Sequence, residues 1–130
     1  MNTSELMIGD LVQGHQPNTI AKVVGIPNET RVAVIGGKTF MELSADDIQP
    51  IPLTEKILRR NCIFDHPQGS KYYHLGDDFY LLENIIGSYV ICVKYYDGYV
   101  YDYKEVIGCE FVHELQHAIR MLNVDKEIIL

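Results

Sequence analysis

The sequence predicts an α+β protein that is mostly β, built from small antiparallel sheets and few helices. Three observations carry this expectation. Short runs rich in Val and Ile are punctuated by Gly, Pro and Asn at intervals too brief for intervening helices. A later stretch alternates tyrosine with other residues at the two-residue period of a strand. A single apolar stripe with helical spacing lies near the C-terminus.

The 130 residues suit one domain or two very small ones, and 47% hydrophobic with 22% charged residues is an ordinary globular composition. The aromatic content changes abruptly along the chain. All nine tyrosines lie between Tyr72 and Tyr103, whereas the first 60 residues hold a single aromatic, Phe40. This predicts two structural parts, residues 1–53 and 71–130, joined by a short helix and linker over 54–70.

The first part reads as strands at 6–12 (LMIGDLV), 21–26 (AKVVGI), 30–36 (TRVAVIG) and 38–43 (KTFMEL). Gly14, Pro17-Asn18, Pro27-Asn28 and Gly36-Gly37 separate them as turn formers. The segment 44–53 carries two prolines that forbid a central strand, with Ile48 and Ile51 placed to plug an end. Strands this short remove their open edges best by curling, so a small SH3-like barrel is expected. Thr54 then caps a short helix over about 55–61, and 65–70 reads as a loop.

In the second part, KYYHL (71–75) and FYLLE (79–83) flank Gly76-Asp77-Asp78 as a hairpin. SYVICVKYY (88–96) and YVYDYKEV (99–106) flank Asp97-Gly98 as another. Tyr99, Tyr101 and Tyr103 alternate with other residues, which places three rings on one strand face. A C-terminal helix over about 110–123 and the apolar tail EIIL close this Tyr-rich antiparallel sheet.

The net charge of −7 and pI near 5.1 argue against nucleic acid, whose phosphates need clustered Lys and Arg. Cys62, Cys92 and Cys109 form an odd set without C-x-x-C spacing, read as reduced structural thiols. The N-terminus lacks the basic and apolar regions of a signal peptide, and no apolar run reaches membrane-spanning length. A cytoplasmic protein is expected.

Within the closing helix, His113-Glu114-Leu115-Gln116-His117 matches the H-E-x-x-H pattern of zinc hydrolases. Two imidazoles four residues apart can hold one zinc while the glutamate activates its water. On a helical wheel His117 lies about 40° from His113, on the side opposite Val112, Leu115, Ala118 and Ile119. The histidines are therefore expected on the wet face, beside the fixed charge of Arg120. The extended pattern would place Gly at 120 and His at 123, where Arg120 and Asn123 stand. Asp125, Glu127, His66 and His74 are available as third ligands, with nothing to select among them.

His15 and His66 read as solvated loop histidines. Cys62, four residues before His66, reads as a buried thiol rather than a nucleophile. Gly36-Gly37-Lys38-Thr39 has the end of a phosphate loop but lacks its leading glycine and opens a strand, so it is set aside.

The opening IGDLV, the junction IQPIPLTEKILRRNCIF and the closing FVHELQHAIRMLNVDKEIIL resemble a group of short uncharacterised proteins of gut Bacteroidetes, their phages and their mobile elements. In that group the closing helix commonly reads VHELQN, with asparagine where His117 stands. The resemblance implies an SH3-like N-terminal part and a phage or mobile-element origin. It also makes the second histidine a local departure, and it brings no activity or site residues.

The expected function is a non-enzymatic interaction or regulatory module, without a cofactor, that meets a protein partner through Tyr99, Tyr101 and Tyr103. The alternative is a zinc-dependent hydrolase or peptidase, with His113 and His117 on the metal and Glu114 as base.

Overall fold

The structure is a computed structural model that describes residues 1–14, 19–65, 72–85 and 87–130, with only the backbone described at 63–65. His15 and His66 lie outside the described residues. The chain is mostly β and forms two compact units. The first is Met1–Ile51 with Phe111–His113, and the second is Pro52–Glu110 with Glu114–Leu130.

In the first unit, β1 (Leu11–Gln13), β2 (Ile20–Asn28), β3 (Arg31–Gly36) and β4 (Thr39–Ser44) form an antiparallel sheet in sequential order. The strand expected over 6–12 is confined to its last two residues and Gln13. Upstream, Met7–Asp10 folds as a turn in which the Met7 N–H donates to Asp10 Oδ2 at 2.8 Å and the Asp10 N–H returns to the Met7 carbonyl at 3.1 Å. Gly9 supplies the φ of 98° that the turn requires. A buried aspartate thus overrides the strand preference of its apolar neighbours.

Val12, Ala21, Val23, Val32, Val34, Ala45 and Ile48 form the core of this unit with Leu6. The alternation of β2 supplies Ala21 and Val23, and the buried run of β3 supplies Val32 and Val34. A 3-10 turn at Ala45–Asp47 follows β4, and the N-terminal ammonium of Met1 donates to the carbonyls of Ala45 and Ile48 at 2.7 and 3.1 Å. Gln13 and Gln49 then exchange two backbone hydrogen bonds in an isolated antiparallel bridge. The four-strand ladder is open: among the described residues β1 and β4 do not pair. The next ladder bonds would join Leu11 and Ile51, but the Ile51 carbonyl instead accepts the Val112 N–H at 2.8 Å.

The second unit begins with α1 (Glu55–Asn61), capped as expected by Thr54, whose hydroxyl accepts the Ile57 N–H at 3.2 Å. A five-stranded antiparallel sheet follows in sequential order: β5 (Ile63–Asp65), β6 (Tyr72–Gly76), β7 (Phe79–Ile85), β8 (Ser88–Tyr96) and β9 (Tyr101–Cys109). Cross-strand register places Tyr73, Leu81 and Ile91 on one face with Tyr89 and Leu75. All five are buried. The other buried residues of this unit include Leu58 of α1 and Leu115, Ala118 and Ile119 of α2 (Val112–Met121).

Asn123, in the left-handed region at φ 56°, ends α2, and the Val124 N–H donates back to the Ile119 carbonyl at 3.0 Å. The position where an extended zinc motif would carry histidine thus serves as a helix stop. The tail is clipped to α1 through Asn61, whose amide donates to the Ile129 carbonyl at 2.8 Å and accepts the Ile129 N–H at 2.7 Å. Lys126 donates to the Asn61 carbonyl, and Ile128 is buried.

Candidate interaction site

The longest hairpin among the described residues is β8–β9, and its register explains what it exposes. Lys94 faces Tyr103, Tyr95 faces Asp102, and Tyr96 faces Tyr101. Strand β7 ends opposite Val93, with one further bond from the Lys94 N–H to the Asp78 carbonyl at 2.8 Å. Beyond that point the hairpin runs on as a two-stranded arm.

The loop at its tip spans 97–100, two residues longer than the Asp97-Gly98 turn expected from sequence. Asp97 closes it: Oδ1 accepts the N–H groups of Tyr99 and Val100 at 2.8 and 3.0 Å, and its own N–H donates to the Val100 carbonyl. These bonds hold the Asp97 carboxyl below the usual carboxylate range. Gly98 takes a φ of 105°. The loop removes Tyr99 from the strand alternation and leaves it 90% exposed. Tyr101 is 65% exposed, Val100 61% and Tyr96 60%.

Tyr101 and Tyr103 do share a face of β9, and the register adds residues to it that sequence reading missed. Tyr96 meets Tyr101 at 5.3 Å between centroids, and Lys94 Nζ sits 4.7 Å from the Tyr101 ring centre. Nearer the body of the sheet, Tyr103 stacks on Tyr72 at 4.5 Å and 19° and meets Tyr80 edge-on at 5.5 Å. His74 lies 4.7 Å from Tyr80 and its Nε2 is 2.8 Å from the Asp77 carbonyl. Of the tyrosines singled out from sequence, Tyr103 is therefore packed into an aromatic platform, Tyr101 lies at its rim, and Tyr99 stands on the loop. Edge-to-face and offset ring pairs of this kind rigidify a surface without burying it. The signal that could have located Tyr96 and Lys94 is the hairpin register, which the loop length fixes.

On the other side of the arm the Tyr95 hydroxyl donates to Asp102 Oδ2 at 3.4 Å. The Asp102 carboxylate raises the Tyr95 phenol above its ordinary value, with smaller contributions from desolvation and Asp97.

The histidine pair is placed differently from the expectation. His113 is not on a wet face: it is 5% exposed and packs flat against Phe111 at 6.0 Å. The reason is that residues 111–113 cluster with the first unit, where the Val112 N–H donates to the Ile51 carbonyl at 2.8 Å. A wheel built on one helix cannot register a covering segment from elsewhere in the chain. His117, one turn on, is half-buried. Glu114 accepts the Glu110 N–H at 3.0 Å, the bond by which an early helical glutamate satisfies an otherwise unbonded donor. Among the described residues no group of three His, Cys, Asp or Glu side chains is placed to hold a metal ion. Asp125, Glu127 and His74 are among those residues, and His66 lies outside them.

All three cysteines are buried and none forms a disulfide. Burial pushes the Cys62 thiol up to about 11, with Lys126 opposing, and the Cys109 thiol up to about 12, with Glu114 adding to the rise. Burial also raises Cys92, with Glu105 adding. The thiolate is the reactive form, so the folded protein is expected to resist an aromatic disulfide reagent at neutral pH and to react at three thiols once unfolded. The folded state holds these protons above the ordinary thiol value of 9.0, where the unfolded chain releases them. Stability is therefore expected to fall as pH rises from 9.0 toward about 11 to 12, as read by urea melts.

The fold and site together define a mostly β protein with an aromatic platform and a projecting tyrosine arm. No known family, characterised protein or solved structure matches the chain. No helix of the described residues is long and apolar enough to cross a membrane.

Proposed function

We propose that the chain is a non-enzymatic cytoplasmic interaction module of phage or mobile-element origin that grips a protein partner with its tyrosine arm. The observation that carries this reading is the concentration of Tyr96, Tyr99, Val100 and Tyr101, each at least 60% exposed, on one braced hairpin tip. Tyrosine gives large contact area with few rotatable bonds, and binding hot spots are enriched in it. A contiguous apolar tip with no core to join is the kind of exposure that marks an interaction surface.

One observation supports this reading over zinc chemistry: the Glu114 carboxylate, the base of the zinc reading, already holds the start of its own helix. The first unit is read as an SH3-like barrel stopped short of closure. Support comes from the 3-10 turn after β4 and the Gln13–Gln49 bridge, which together return the chain to β1.

A photo-crosslinking phenylalanine analogue in place of Tyr99 tests the reading in cells. A discrete protein adduct is expected from position 99 and not from the exposed Ile20 of the other unit. No adduct from 99, 101 or 96 would sink the arm as a protein contact. An adduct with nucleic acid would replace the partner class, and its affinity would then fall steeply with salt.

A further inference from the structure

The arm's outer strand is also the edge of its sheet. Sheet order runs β5-β6-β7-β8-β9, so β9 has β8 on one side and, among the described residues, no strand on the other. The edge is nine residues long, against three for the opposite edge strand β5. Native sheets shorten, cover or charge such edges because an open row of backbone groups templates a further strand. Here the Tyr103 N–H is turned away from β8 and donates to Asp102 Oδ1 at 2.8 Å. That fixes which residues present their backbone groups outward: Tyr101, Tyr103 and Glu105, by the alternation of an antiparallel ladder.

We propose that β9 pairs antiparallel with β9 of a second copy of this chain, centred on Tyr103, to form a symmetric dimer with one continuous sheet. The charges select this register. With Tyr103 opposite its own copy, Asp102 faces Lys104 of the second chain and Lys104 faces its Asp102. Both side chains are exposed. They fall at the non-hydrogen-bonded positions, where facing side chains approach most closely. Tyr103 and its copy exchange backbone hydrogen bonds in place of the local bond from each Tyr103 N–H to Asp102 Oδ1, which releases that carboxylate to meet Lys104, and Tyr101 pairs with Glu105. Recentring by one residue in either direction sets Asp102 or Lys104 against its own copy, which like-charge repulsion disfavours.

The same register accounts for an exposed apolar residue that the isolated chain leaves in water. Val106, 46% exposed at the bulge of β9, falls opposite Val100 of the second copy, itself an exposed loop residue. A symmetric interface of this kind uses the same patch on both chains, so one strand must complement itself. The proposal stands apart from the partner reading, since it rests on the edge of β9 and not on the rings of the arm.

Charge reversal tests it by sedimentation velocity over a concentration series of the purified full chain. The wild-type protein is expected to dimerise with concentration. Asp102→Lys and Lys104→Asp, each alone, turn two attractive pairs into two repulsive ones and are expected to weaken dimerisation by about tenfold or more. An equimolar mixture of the two single variants restores both pairs between unlike chains and is expected to recover dimer. The double variant Asp102→Lys/Lys104→Asp is expected to recover it as well. A wild-type chain that stays monomeric throughout would overturn the proposal. So would single variants that dimerise like wild type, or a mixture no better than its components. Far-ultraviolet circular dichroism on each variant separates loss of pairing from loss of fold.

Discussion

Leu115→Ala is expected to be among the most destabilising single truncations in the second unit, costing about 3 kcal/mol. Leu115 is fully buried at the middle of α2, on the stripe it shares with Val112, Ala118 and Ile119. Removing its branched end leaves a void that a helix fixed at both ends closes poorly. One end is fixed by the bond of the Glu114 carboxylate to the Glu110 N–H. The other is fixed by the left-handed stop at Asn123. The measurement is simple because the chain has no tryptophan and all nine tyrosines lie between Tyr72 and Tyr103. Tyrosine fluorescence therefore reports the second unit alone. A urea midpoint unchanged by the substitution would mean that α2 is not part of that cooperative core.

The opposite pattern is expected on the arm. Tyr99→Ala and Tyr101→Ala remove rings that are 90% and 65% exposed, so each should change stability by less than about 0.5 kcal/mol. Binding to the crosslinked partner should nevertheless weaken by about 2 kcal/mol per ring, roughly thirtyfold in Kd, if these are the anchors. Titration calorimetry on the identified partner reads the loss directly. Tyr103→Ala is expected to behave differently, because its ring stacks on Tyr72 and meets Tyr80. It should cost stability and binding together. A partner indifferent to Tyr99 and Tyr101 would remove the arm from the interface.

Much of the secondary structure was legible in the chain because it is written in local chemistry. Thr54 before an apolar-periodic segment gave α1, and its hydroxyl bonds the Ile57 N–H as a cap should. The Gly76-Asp77-Asp78 turn gave the β6–β7 hairpin, with Asp77 at a φ of 49°. Segment β5, only Ile63–Asp65, was not legible, because three residues carry too little periodicity to distinguish a strand from a loop. The turn at Met7–Asp10 was missed for a different reason. Its apolar residues resemble a strand, and only the folded chain shows the buried Asp10 carboxylate taking the Met7 N–H.

The candidate site divides in the same way. Sequence by itself determined that the tyrosines are gathered in one region, that Tyr101 and Tyr103 share a face, and that the closing helix carries one apolar stripe. Those are consequences of composition and of the two periods of regular backbone. Only the tertiary structure decided that Tyr99 leaves the strand, that Lys94 and Tyr96 join the face, and that His113 is enclosed. Each depends on a partner distant in sequence or on a loop bond such as that of Asp97. A side chain's own period says which way it points, but what it meets there is set by the rest of the fold.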